Sequence, residues 1–364
     1  MCKRLAASRY RSEQRLRFNQ SIRTAHQQEL TMRTTPLGNQ GLAVSVEGLG
    51  CMGMSTTYGP SDEQEALATL GRALDLGVTF FDTAEAYGPF TNEELVGKAF
   101  AGKRDRIVLA TKVGFRYTDD GKLAMDEGQP RVTGDPTHIR KAVEGSLRRL
   151  RTDVIDLIYL HRIDPTTPIE VTIGALAGLV HDGKVRYIGL SEASAATIRK
   201  AHAMHPLTVV QMEYSLFERE AEHNGVLDTV RELGIGFVSY SPLGRGFLTG
   251  ALKDLDNLHA TDFRRYDPRF QGENLQANLR LVERLTEIAQ AKGVRPSQLA
   301  IAWTMQAGTV PIPGTRRIRY LEENIAAADI TLSADELAAL EQAAPFGAAA
   351  GERYSPGMLA TLGH

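Results

Sequence analysis

Short apolar runs alternate with longer stretches of helical spacing along most of this chain. Runs at Val44–Leu49, 78–82, 107–111 and 154–160 read as strands, and so do 185–190, 207–211, 235–240 and 309–312. Between them lie amphipathic segments with start and stop signals. Asp62 to Leu76 has acids in its first turn and Gly77 after its last, and Asp135 to Leu150 has Pro136 at its first position. Further helices are expected at 92–100, 168–182, 193–204, 220–233, 273–292, 296–306 and 316–328. A last helix is expected at 333–344, ahead of a Gly/Ala/Pro-rich tail. Strands that alternate with helices of this length form parallel βα units, and eight of them predict a closed (β/α)8 barrel. An open doubly wound sheet is the alternative. No shift in composition marks a second domain, so residues 32–364 are expected to form one barrel domain.

Three successive strands end in polar, titratable residues. Thr79-Phe80-Phe81 stops at Asp82 and is followed by a turn carrying Tyr87; the 107–111 run stops at Lys112; Val154–Leu160 stops at His161. Strand C-termini ring one face of a parallel barrel, so a carboxylate, a phenol, an amine and an imidazole are expected to converge there. The long segments 114–134 and 241–272 and the tail emerge on the same face and can wall a pocket. Aromatic candidates for its lining are Tyr58, Phe115, Tyr117, Phe217 and Tyr354.

Bulk properties narrow the function. The chain has 364 residues, a formal net charge of −2, 42% hydrophobic and 24% charged residues. That balance argues against nucleic acid or an anionic membrane as a partner. No apolar run is long enough to cross a bilayer. The two cysteines, Cys2 and Cys51, make no disulfide framework, so a reducing, cytoplasmic setting is expected. No Cys/His cluster has metal spacing, so no metal is expected. Residues 1–31 are Arg-rich, with Glu13 and Glu29 as their only acids. They read either as an organelle-targeting segment or as translated sequence upstream of a true start at Met32, and as disordered in both cases.

Gly48-Leu49-Gly50-Cys51-Met52-Gly53 matches G-x-G-x-x-G after a strand. A dinucleotide fingerprint would open a helix directly, with an acid about 20 residues on. Here a polar loop intervenes and Asp82 lies roughly 30 residues on, so the glycines are read as allowing close backbone approach to a ligand.

Asp82 with Tyr87, then Lys112, then His161, on the second, third and fourth strands, resembles the catalytic tetrad of the aldo-keto reductases. Leu49–Ser55, Leu160-His161-Arg162-Ile163-Asp164-Pro165 and Tyr187-Ile188-Gly189-Leu190-Ser191-Glu192 resemble its general bacterial and plant, auxin-induced-like branch. The resemblance spans about residues 33–345. It implies a (β/α)8 barrel that reduces a small carbonyl compound, an aldehyde or ketone, with NADPH (NADP+ as product). Tyr87 would be the general acid, Lys112 and Asp82 its activators, and His161 the group orienting the carbonyl. Ser191, Glu192 and Gln211 would hold the nicotinamide carboxamide and Tyr240 would stack on the ring. Met52, Ser241, Leu243, Gly244 and Arg245 would line the rest of the cofactor site. Gly314, Thr315, Arg316, Glu323 and Asn324 would hold the adenosine end, with Arg316 and Arg317 suited to a 2′-phosphate. Glu192 departs from the commoner Asn: a carboxylate accepts from the amide NH₂ but donates nothing to its carbonyl. Two other functions fit the fold: a regulatory protein that holds cofactor without turning it over, and a class I aldolase using Lys112 as Schiff-base nucleophile. The sequence fixes neither the substrate nor the oligomeric state.

Overall fold

The computed structural model describes residues 32–55 and 57–364; the readings made for residues 1–31 lie outside them. Eight parallel strands form one sheet in chain order. They are β1 (Leu49–Gly50), β2 (Phe80–Asp82), β3 (Val108–Val113), β4 (Ile155–Leu160), β5 (Val185–Ser191), β6 (Val209–Glu213), β7 (Gly236–Tyr240) and β8 (Val310–Pro311). The first and last strands meet. Gly48 N–H donates to Pro311 C=O at 2.9 Å, Gly50 N–H to Pro313 C=O at 3.3 Å, and Gly50 pairs in parallel with Gly314. The sheet therefore curls into the expected (β/α)8 barrel, with no unpaired edge among its strands.

The helices α1 (Glu63–Asp75), α2 (Thr91–Ala99), α3 (Pro136–Leu150), α4 (Ile169–His181), α5 (Ala195–Met204), α6 (Val226–Leu233), α7 (Gly272–Lys292), α8 (Pro296–Gln306) and α9 (Ile318–Ile325) pack around the barrel. Their starts follow the capping residues. The Asp62 carboxylate accepts from Glu65 N–H and that of Asp135 from His138 N–H. An additional helix, α10 (Ala334–Ala343), starts in a Ser333/Glu336 capping box, and a short α11 (Pro356–Leu359) lies in the tail. Close approach has a local cause where α2 meets α3. A Cβ on Gly97 would sit 2.4 Å from Arg149 C=O, so only glycine fits.

Alternation along the strands separates two interiors. One side of each strand packs under the helices in the larger core, with Leu109, Ile158, Ile188 and Val210 among its members. The other side points into the barrel, where Phe80, Ala110, Leu157, Tyr159, Val209 and Val238 form a second apolar cluster. An antiparallel hairpin, Thr34–Pro36 with Ala43–Ser45, adds Leu37, Leu42 and Val44 to that cluster. Its contacts with Gly234 and Thr79, just before β7 and β2, seat it at the N-terminal mouth as a plug. The expected first strand, Val44–Leu49, is therefore two pieces: the second hairpin strand and the very short β1. Gly48 lies in between, where a Cβ would stand 2.6 Å from the Phe80 ring and 2.9 Å from Ile312. The expected helix 220–233 is also shorter. A 3-10 turn at Glu220–Glu222 precedes Gly225, whose φ of +81° breaks the helix before α6.

Candidate active site

The inward parity that buries Phe80, Ala110, Leu157 and Val209 puts polar residues one layer further toward the C-terminal mouth. Asp82, Lys112, His161, Ser191, Gln211 and Tyr240 follow them on β2 through β7, above an apolar floor. Asp82, Lys112, His161, Ser191 and Gln211 are all at most 8% exposed.

Lys112 is the hub. Its ammonium pairs with Asp82 Oδ1, donates to Thr83 C=O at 3.0 Å and lies 3.1 Å from the Tyr87 hydroxyl. Gln211 Nε2 donates to the other Asp82 oxygen at 2.8 Å. Burial alone would depress the lysine, but Asp82 and Tyr87 outweigh it and raise its pKa, so the ammonium stays charged. Burial raises the Tyr87 phenol above its usual value, and Lys112 opposes the rise. His161 stands edge-on to Tyr87, with ring centroids 6.0 Å apart, and Phe115 packs on its other flank at 4.9 Å. Burial first, then the Arg162 and Lys112 cations, hold the imidazole well below its usual pKa, so it is neutral. Its Nδ1 is buried without a partner. An unmet acceptor costs less than an unmet donor there, which favours the tautomer with the proton on Nε2.

The chain ends around this cluster are shaped for a ligand. Arg162 Nη1 donates to Ser191 Oγ at 3.4 Å, which leaves the serine proton free to be given away. Gln211 uses its amide NH₂ on Asp82 and keeps its carbonyl as an acceptor. One donor and one acceptor on adjacent strands match a carboxamide, the recognition unit of nicotinamide. At the β1/β8 seam, Gly314 pairs with Gly50, and Cys51 N–H donates to Asp82 C=O, so the segment from Gly314 to α9 starts beside the tetrad. Around the α9 N-terminus, Arg316 is half-buried and bonded to Pro60 C=O at 2.5 Å, while Arg317 is exposed. Thr315 Oγ1 accepts from Arg317 N–H at 3.1 Å. Cations and backbone N–H groups at a helix start suit phosphate. Glu323 bonds Ser297, and Asn324 is buried. Ser241 and Arg245 adopt left-handed conformations, φ +51° and +58°, that bend the chain after β7 past Leu243 and Gly244. Met52 sits in the 3-10 turn after β1.

Glu192 and Arg245, both named for the cofactor, have their charged groups engaged by several protein partners each. Glu192 accepts from Glu213 N–H, Tyr240 hydroxyl and both Arg353 amino groups. Arg245 is buried between Glu213 and Asp267 and donates to Arg353 C=O at 2.6 Å. Arg353, Asp267 and Glu213 were not legible as site residues, for only the unusual Glu192 hinted at a compensating cation. Arg162 stood next to His161 in a quoted motif but carried no role. Of the aromatic candidates, Phe115 and Tyr354 reach this region. Phe217 is a core residue packed on Phe247, with centroids 5.3 Å apart. Among the described residues no acidic, His or Cys cluster could hold a metal ion, and no helix is long and apolar enough to cross a membrane.

A parallel barrel carries a Lys–Asp–Tyr chain and a neutral His at its C-terminal mouth, groups that can hold and hand on a proton. The model of the aldo/keto reductase family matches residues 48–345, and the chain belongs to that family. Among solved structures it resembles a glycerol dehydrogenase, AKR11B4, from Gluconobacter oxydans: 28% identity over 89% of this chain and 98% of that one, TM-score 0.77. The aldo-keto reductase AKR11C1 from Bacillus halodurans, in its holo form, is also 28% identical, covering 86% of this chain and 96% of that one at a TM-score of 0.69. An aldo/keto reductase from Klebsiella pneumoniae, in complex with NADP and acetate, has the same identity and coverages and a TM-score of 0.67.

Proposed function

We propose that this protein reduces the carbonyl group of a small aldehyde or ketone with NADPH, Tyr87 acting as the general acid. The observation that carries the reading is the buried chain Asp82–Lys112–Tyr87 with the neutral His161 beside it. A bound nicotinamide dinucleotide supplies a hydride. The protein's own groups handle the charge that follows. His161 Nε2–H donates to the carbonyl oxygen and fixes its orientation. Tyr87 gives its proton to the oxygen as negative charge develops there. A free phenol is a weak acid near neutrality, and the Lys112 ammonium at 3.1 Å stabilises the phenolate left behind. Asp82 keeps Lys112 charged and in place. Ser191 and Gln211 orient the carboxamide, and the apolar floor below excludes water. Loss of absorbance at 340 nm with NADPH and a panel of aldehydes, ketones and sugars tests the reading. NADPH binding with no turnover on any of them would overturn it in favour of a protein that holds cofactor without using it.

The preference for NADPH rests on the two cations just before α9, Arg316 and Arg317. Changing Arg316 and Arg317 together to Ala is expected to raise KM for NADPH by about tenfold or more, while KM for NADH moves little. Steady-state kinetics with both cofactors decide. Equal rises would show that neither arginine reads the 2′-phosphate.

A further inference from the structure

The tail beyond the family match, residues 346–364, is tied to the barrel at several points, and the most deeply buried of them is Glu192. Arg353 grips Glu192 with both guanidinium arms, at 3.1 and 2.8 Å, and the Glu192 side chain is fully buried. The Glu192 backbone is caught as well: its C=O accepts from Gly363 N–H at 3.0 Å, and Ser194 N–H donates to His364 C=O at 3.1 Å. Glu192 holds a left-handed φ of +56°, unusual for a non-glycine residue, and so turns the end of β5 toward the tail. The neighbour of Arg353 is the consequence for the site. The Tyr354 hydroxyl lies 3.0 Å from that of Tyr240, and its ring stacks under the Arg245 guanidinium at 4.3 Å.

We propose that Arg353 is a positioning residue: by clamping Glu192 it fixes the tail so that Tyr354 forms a wall of the substrate pocket beside Tyr240. This rests on the proposed reading that the carbonyl substrate binds at Tyr87 and His161. It also accounts for Glu192. With Glu213 N–H, Tyr240 and Arg353 on its oxygens, the carboxylate is a tail anchor and leaves the carboxamide to Ser191 and Gln211. Arg353 and then Arg162 overcome the effect of burial and hold Glu192 below the usual carboxylate value, so the pair is ionic. A bidentate pair of this kind fixes direction as well as distance.

Hydrogen–deuterium exchange and steady-state kinetics on the full chain test this together. In Arg353→Met, the amides of 346–364 are expected to lose protection, while β2, β3 and β4 keep theirs. The carbonyl KM is expected to rise about tenfold or more with kcat nearly unchanged, as when binding shared by ground and transition states is lost. Glu192→Gln is expected to free the same amides, and the double variant to free them no further. Arg353→Lys, which keeps the charge and loses the fork, is expected to fall between and guards against misfolding of the Met variant. Tyr354→Leu is expected to raise KM without loosening the tail. A tail that stays protected in Arg353→Met and Glu192→Gln would overturn the clamp. An unchanged KM with a freed tail, or in Tyr354→Leu, would overturn the pocket wall. The exchange result stands by itself: it decides the clamp even if no carbonyl is turned over, whereas only the latter bears on the reductase reading.

Discussion

Tyr87→Phe is expected to lower kcat for carbonyl reduction by about 10²- to 10⁴-fold, the usual contribution of a positioned acid. NADPH affinity is expected to stay near that of the wild type, because the lost hydroxyl is bonded to Lys112 and in the proposed reading acts on the substrate. The pH profile makes the assignment sharper. In the proposed mechanism reduction needs Tyr87 protonated, and burial raises its pKa against the pull of Lys112, so the acid form persists across the neutral range. It also needs His161 neutral, and burial with two nearby cations pushes its pKa well down. Wild-type kcat/KM should therefore be flat between about pH 6.5 and about pH 10, the ordinary values from which the two groups are displaced outward. Single-turnover rates and cofactor titration by fluorescence quenching check both parts. A Tyr87→Phe variant that turns over like the wild type would overturn the acid assignment.

The legibility of this site follows the range of the interactions that made it. Asp82, Lys112 and His161 each terminate a short apolar run, and strand parity alone places them on one layer, so local pattern sufficed. Tyr87 sits five residues beyond Asp82, within the span of one turn. The eight-fold alternation likewise came from local periodicity, and it held because capping residues such as Asp62 and Asp135 act locally. What stayed hidden depends on contacts between distant segments. The plug hairpin looks like a first strand until Leu37 and Val44 are seen to fill the barrel from below. The clamp joins Glu192 to Arg353, 161 positions apart, through a tail whose composition carries no periodic signal. Glu192 was visible as a departure from the commoner Asn, yet its partner could not be named without the fold. Arg245 lies in the motif expected to line the cofactor site, and Glu213 and Asp267 occupy its guanidinium.

Lys112→Met is expected to abolish turnover and also to destabilise the fold by about 3–5 kcal/mol, since it strands the Asp82 carboxylate in a buried site. Both partners are essentially inaccessible, with side chains 1% and 3% exposed, and among the described residues only Gln211 would remain to donate to the stranded charge. The two losses have different causes, and a second substitution separates them. In Asp82→Asn/Lys112→Met no net charge is buried, and Met approximates the lysine stem in volume. Replacing both members of a buried pair is often close to neutral, so stability should return to within about 1–2 kcal/mol of the wild type. Turnover should not return, because Tyr87 still lacks the cation that stabilises its phenolate. Urea denaturation gives the stabilities, and NADPH oxidation gives the rates. A double variant as unstable as Lys112→Met would mean that packing of the lysine stem, rather than the stranded charge, carries the loss. Recovery of activity in that variant would remove Lys112 from the chemistry and leave it as a structural counter-ion for Asp82.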